Sequence, residues 1–233
     1  MRTIGLIGGM SWESSAIYYR LLNEQVRDRL GGLHSARCLL YSVDFADIEQ
    51  RQRDGDWDGA GRLLADAAHA LQRAGAEALV LCTNTMHKVA DHITAAVSIP
   101  LLHIVDATAQ AILQTPCRQV LLLATRFTME QDFYRERMQR FGVALRIPDV
   151  AEREDIHRII YQELCRGQML PASKQRYLDI IARHQADGVD AVILGCTEIT
   201  LLIQPADTTL PQFDSTALHA AAAVDWMLQS ATK

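Results

Sequence analysis

The chain has 233 residues, of which 49% are hydrophobic and 22% charged, and a net charge of −5. That is the composition of a globular protein with ample material for a packed core, and it excludes a disordered or fibrous chain. The acidic balance offers no basic stripe to a nucleic acid and the apolar runs are too short to span a bilayer; without a charged leader and long apolar core at the start, the expected location is the cytoplasm, with no nucleic-acid or membrane partner.

In chain order, "TIGLIGGM" reads as a strand running into a Gly-rich turn. "SWESSAIYYRLLNEQVRDRLGG" comes next as a helix, with Tyr18, Leu22, Val26 and Leu30 at helical spacing and a Gly31-Gly32 stop. "RCLLYSVDF" is a strand, "FADIEQRQRDGDW" the loop after it, and "DWDGAGRLLADAAHALQRAG" a helix with Ala60, Leu64, Ala67 and Leu71 on one face. "EALVLC" is a strand, "TMHKVADHITAAV" a helix, "PLLHIV" a strand and "DATAQAILQ" a helix.

The order then restarts. "QVLLLAT" is a strand, and "TMEQDFYRERMQRFG" a helix with a capping box at Thr128 and Gln131. "VALRIPDV" is a strand, two helices cover roughly 152–166 and 172–186, and "DAVILGC" is a strand. A short helix up to Pro205, the strand "LPQFD" and the helix "STALHAAAAVDWMLQS" complete the series.

Strands alternating with helices indicate parallel sheets covered on both faces. Because the series occurs twice, the expected fold is α/β with two similar flavodoxin-like lobes: residues 1–99 plus 210–233, and residues 100–209. Two internal matches support the duplication: "IGLIGGMSWE" with "VLLLATRFTME", and "AGAEALVLCTNT" with "ADGVDAVILGCTEIT".

Five cysteines occur, Cys38, Cys82, Cys117, Cys165 and Cys196. The odd count and absent C-x-x-C spacing predict free thiols, not a disulfide framework or a zinc ribbon. Cys82 and Cys196 differ from the others: each ends an apolar strand, precedes Thr and a helical segment, and sits where ligands bind in open α/β sheets. A helix N-terminus there favours thiolate over thiol. If the lobes face each other, the two sulfurs come from equivalent positions and flank one cleft, an arrangement suited to proton transfer at the two faces of one carbon. Cys38, Cys117 and Cys165 are read as structural or incidental. His87 is read as a helix-surface residue or one that supports the site from behind, His103 as a core residue, and "GLIGGM" as a tight turn and not a dinucleotide fingerprint.

"GLIGGMSWESS", "LCTNTMHKVAD" and "LGCTEI", in this order, resemble the cofactor-independent, two-cysteine aspartate/glutamate racemase family, within the aspartate/glutamate/hydantoin racemase superfamily. The resemblance covers essentially the whole chain. It implies two flavodoxin-like lobes related by a pseudo-twofold axis, an active site in the cleft between them, no pyridoxal phosphate and no metal. Cys82 and Cys196 would be the two bases that interconvert L- and D-amino acids. Thr83, Asn84 and Thr85 would hold the substrate carboxylate, with Thr197 in a related role beside the second base. Met10, Thr125 and Thr128 would line the cleft. Glu198 would lie near the substrate ammonium or orient its neighbours. Relatives are often homodimers.

The side-chain pocket departs from the family pattern. Aspartate-selective relatives bind the distal carboxylate with an Arg in the loop after the second strand and a Lys from the second lobe. Here Gln52 takes the Arg position, flanked by Arg51 and Arg53, and "YQELCRGQM" has Leu164, Cys165 and Arg166 but no Lys. This points to broad or non-acidic specificity, with acidic substrates still open through the three arginines. Other chemistries of the superfamily (hydantoin racemase, maleate isomerase, decarboxylase) and a non-catalytic amino acid binding protein are the alternatives.

Overall fold

The structure, a computed structural model, describes residues 1–229. The chain divides into two compact units, residues 1–104 with the segment from His219, and residues 105–218. Their elements run β1 (Ile4–Gly8), α1 (Trp12–Leu30), β2 (Cys38–Ser42), α2 (Phe45–Asp54), α3 (Trp57–Arg73), β3 (Ala78–Leu81), α4 (Ala90–Ala96), β4 (Leu101–Leu102) and α5 (Ile104–Leu113). The series continues with β5 (Gln119–Leu123), α6 (Arg126–Glu130), α7 (Asp132–Gln139), β6 (Ala144–Arg146), α8 (Val150–Gln162), α9 (Pro171–Ala186), β7 (Ala191–Leu194), α10 (Ile199–Leu202), β8 (Gln212–Asp214) and α11 (Ser215–Leu228).

Each unit holds one parallel four-stranded sheet, ordered β2-β1-β3-β4 and β6-β5-β7-β8. This order is flavodoxin-like: the winding reverses between the first and third strands, which opens a ligand position beyond their carboxyl ends. In the first unit β1 and β3 are buried along their whole length. One face of this sheet packs Ile7, Leu79 and Leu81 with Ala60, Leu64, Ala67 and Leu71 of α3. The other packs Ile4, Leu6, Ala78, Val80 and Cys82 with Tyr18, Leu22 and Val26 of α1 and Ala220, Ala223, Val224 and Met227 of α11. Each fully buried Leu, Ile or Val contributes about 1.5–3 kcal/mol relative to exposure.

Strand pairing moves the unit boundaries away from 99/100 and 209/210. Leu101 and Leu102 pair with β3 in the first sheet, and Gln212–Asp214 pairs with β7 in the second. Pro100 and Pro211 are the residues that lead into these edge strands. Their carbonyls accept from Leu79 N at 2.8 Å and Val192 N at 2.9 Å, a role open to proline because it needs no N–H.

Three local expectations are also corrected. The segment after β2 is a helix, α2, capped by Asp44 and stopped by Gly55 at φ +74°. Only Ile48 and Gln52 of its ten residues are buried, so it shows little apolar periodicity. The capping box at Thr128 and Gln131 does not form: Thr125 caps α6, and the chain breaks at Gln131 before α7. The helix expected to reach residue 166 ends at Gln162, where Glu163 leaves helical geometry and a 3-10 turn, Leu164–Arg166, takes over.

Candidate active site

The carboxyl ends of β1 and β3 place Met10 and Cys82 in the first unit. Gly9 turns the chain after β1 at φ +93°, and its N–H donates to Ser15 Oγ at 2.8 Å. A Cβ here would lie 2.1 Å from the Val43 carbonyl oxygen, so only glycine fits. Met10 comes next, buried in the α3-side cluster together with Met86. Cys82 N donates to Ile7 O at 2.9 Å, and the Cys82 side chain is fully buried on the α1 and α11 side. The thiol faces Val80 O at 3.9 Å. Burial, then the neighbouring Cys38, pushes it far above the usual thiol range.

Beyond Cys82 the chain turns tightly, with Thr83 N donating to Leu81 O at 2.8 Å. His87 fixes the turn. Its Nε2 accepts from Ile104 N at 3.2 Å, which leaves the proton on Nδ1, and Nδ1 donates to Thr83 O at 2.7 Å. The ring lies 4.4 Å from that of His103 and 5.7 Å from that of His219. His219 in turn accepts from Tyr18 OH at 2.8 Å through Nδ1 and donates to Leu102 O at 2.8 Å through Nε2. His87 and His103 stand out in the sequence, whereas His219 does not. Its one signal there is a lone polar ring in the small-residue run "LHAAAA".

Gln52 lies on α2, 5% exposed, with its Nε2 donating to Met86 Sδ at 3.0 Å. Its Oε1 has no hydrogen-bond partner among the described residues, and an unmet buried acceptor costs about 1–3 kcal/mol. The flanking cations are engaged elsewhere. Arg51 donates to Asp56 Oδ2 at 2.5 Å, and Arg53 donates to Gln50 Oε1 at 2.6 Å and pairs with Glu49.

The second unit places Thr125 beyond β5, where its Oγ1 lies 3.2 Å from Thr128 Oγ1 and both residues are buried. Beyond β7 come Gly195, Cys196, Thr197 and Glu198. Cys196 donates its thiol proton to Glu198 Oε2 at 2.8 Å, and Thr197 Oγ1 donates to the same oxygen at 2.7 Å. Burial, then the Glu198 charge, then Cys165 push the Cys196 thiol well above its usual range. The same neighbourhood holds the buried hydroxyl of Tyr177, also pushed up by burial and then by Cys196 and Glu163. Cys165 is therefore near the second thiol and not incidental. Arg166 is exposed.

Two sequence expectations about the thiols change. They do not occupy equivalent positions. Cys82 N bonds Ile7 O, and in the second sheet it is Gly195 N that bonds the matching Leu123 O, so Cys196 stands one residue further along. A side chain at Gly195 would press on Ala124, Leu122 and the Leu123 carbonyl at 3.0–3.1 Å, which keeps that position bare. Nor do helix ends lower the thiol pKa values. The element after Cys82 is a 3-10 turn, Thr85–Val89, and α10 after Cys196 has only four residues, so little dipole builds up and desolvation prevails.

Among the described residues no three His, Cys, Asp or Glu side chains group as metal ligands, and no helix is long and apolar enough to cross a membrane. The geometry defines a class: paired flavodoxin-like sheets, each delivering a cysteine and a threonine just beyond its third strand. The sequence pattern of Asp/Glu/Hydantoin racemases matches residues 7–223, and the chain belongs to that family of isomerases. It is 24% identical to a broad specificity amino-acid racemase of Bacillus subtilis (strain 168) across 97% of this chain and 98% of the relative. It is similar to the crystal structure of a provisionally named Asp/Glu racemase from Yersinia pestis, with a TM-score of 0.93 and 54% identity, covering 98% of this chain and 100% of the other. An aspartate racemase homologue from Pyrococcus horikoshii OT3 aligns with a TM-score of 0.86 and 35% identity, covering 97% and 99%.

Proposed function

We propose that this protein interconverts L- and D-amino acids without a cofactor, using Cys82 and Cys196 as the two bases. The observation that carries the reading is the placement of a Cys-Thr pair beyond the third strand of both sheets, in a chain of a racemase family. The resemblance to a relative named for broad amino acid specificity supports amino acids as substrates. On this reading the enzyme works in the cytoplasm on free amino acids.

The reaction needs both thiols to serve one α-carbon. One sulfur, as thiolate, takes the α-proton and becomes a thiol. The other, as thiol, gives its proton to the opposite face of the planar carbanion and becomes a thiolate. One C–H bond breaks and one forms, so atoms and charge balance, and the reverse reaction exchanges the roles. Positioned acid–base groups of this kind contribute about 10²–10⁴ in rate each. Full burial of Cys82, and desolvation with the Glu198 charge at the partly buried Cys196, hold both thiols toward the protonated form, so a thiolate must be generated. At Cys196 the acceptor for its proton is Glu198, already hydrogen-bonded to it. Thr83, Asn84 and Thr85 hold the substrate carboxylate, with Thr197 beside the second base, and Met10, Thr125 and Thr128 line the site.

Proton NMR in deuterium oxide tests the proposal on a panel of L-amino acids with wild type, Cys82→Ser and Cys196→Ser. The expected result is loss of α-proton signals with wild type and at least about a hundredfold slower racemisation in each variant. Turnover of hydantoins or maleate alone would replace amino acid racemisation with another chemistry. Binding of amino acids without any turnover would make the protein a sensor.

A further inference from the structure

The turn beyond β3 is held by its own backbone on one side and by a side chain on the other. Leu81 O accepts from Thr83 N at 2.8 Å, and Thr83 O accepts from the Nδ1–H of His87 at 2.7 Å. The peptide that joins Thr83 to Asn84 is trans, so its C=O and N–H point in opposite directions. Holding Thr83 O against the ring therefore turns the Asn84 N–H to the side away from the ring. The ring itself is fixed in place. Its Nε2 accepts from Ile104 N at 3.2 Å, and the rings of His103 and His219 lie 4.4 Å and 5.7 Å from it. His219 is held in turn by Tyr18 OH and Leu102 O, both at 2.8 Å. His87, His103, His219 and Tyr18 are all buried, so these bonds are shielded from water, and all of them belong to the first unit.

We propose that His87 is a positioning residue for racemisation: its Nδ1–H holds the Thr83 carbonyl so that the turn through Thr83, Asn84 and Thr85 keeps the shape that receives the substrate carboxylate. This rests on the racemase reading and adds to it the group that sets the geometry of the anion-binding turn. In this role His87 touches neither the substrate nor a thiol; it acts through the backbone. Without its bond the peptide plane between Thr83 and Asn84 can rotate, and the hydroxyls and N–H groups around it lose their common aim. A turn set in advance also removes an ordering cost from substrate binding. The bond from Ile104 N makes the choice of nitrogen definite, because a backbone N–H can only donate and so leaves the ring proton on the side of Thr83.

The two ring nitrogens can be tested apart. An Asn amide reaches the Nδ1 position and a Gln amide the Nε2 position, so His87→Asn keeps a donor for Thr83 O and His87→Gln keeps an acceptor for Ile104 N. Each variant gives up one hydrogen bond, so denaturant unfolding should show similar losses of stability. Amino acid α-proton exchange should separate them: kcat/KM within about threefold of wild type in His87→Asn, and at least about tenfold lower in His87→Gln, chiefly through a higher KM. Equal losses of activity in the two folded variants, or a smaller loss in His87→Gln, would overturn the assignment and leave the racemase reading intact. If neither variant folds, NMR of the ring nitrogens in the wild type decides. The His87 Nδ1–H signal is expected to be present and to shift when a substrate amino acid is added; a bare Nδ1, or a signal that substrate leaves unmoved, would count against the proposal. No exchange with any amino acid would sink the racemase reading itself, and this inference with it.

Discussion

Burial surrounds the Cys82 thiol with the apolar side chains of β1, β3, α1 and α11, whereas the Cys196 thiol donates to a carboxylate 2.8 Å away. The two proposed acid–base groups are alike in chemistry and unlike in setting. Glu198→Gln keeps an acceptor for Thr197 but removes the negative charge that can take up the Cys196 proton. It should lower kcat/KM by about a hundredfold, read by the change in optical rotation. The loss must be equal for the L and D substrates, because their equilibrium constant is one; unequal losses would contradict simple racemisation. The raised thiol pKa values also predict alkaline instability. An unfolded thiol ionises near about 8.5. The folded protein keeps these protons to higher pH, so stability is fully present below that value and falls above it, by up to about 1.4 kcal/mol per pH unit for each buried thiol. Denaturant unfolding at pH 8 to 10 should show this decline, and Cys82→Ser should flatten it. The cysteines themselves are legible in the sequence because "LCTNT" and "LGCTE" repeat one pattern. The extra Gly195 is visible too, but its meaning lies in strand register. The contact of Glu198 with Cys196 depends on side-chain direction, which spacing does not encode.

At the level of elements, short connections position the candidate site. In the turn after β1, Gly9 adopts φ +93° with the Val43 backbone against it. Gly9→Ala should destabilise the protein by at least about 3 kcal/mol, from backbone strain and the clash together, measured by chemical denaturation. Long apolar elements such as α1 and α3 can be read from sequence because one face repeats every three to four residues. Helix α2 cannot, because a polar residue, Gln52, occupies one of its two buried positions. The break at Gln131 is hidden for a related reason. Thr125 and Thr128 are both good caps three residues apart, and only the hydrogen bonds show which one serves.

In the whole molecule, the doubled strand and helix series is readable from sequence, and its partition is less so. Boundaries at 99/100 and 209/210 look natural in the sequence, yet the residues just after them lead into edge strands that close the sheet already under construction. The chain leaves the first unit after Ile104 and returns at His219. His219 bonds Tyr18 and the Leu102 carbonyl, and the helix behind it covers the sheet face that holds Cys82. This path matters during synthesis. The second unit is one continuous stretch and is complete once Leu218 has left the ribosome. The first unit, though begun earlier, waits for α11 to complete the layer that α1 begins. Of the two thiols at the carboxyl ends of the third strands, that of Cys82 therefore stays uncovered longer in a nascent chain.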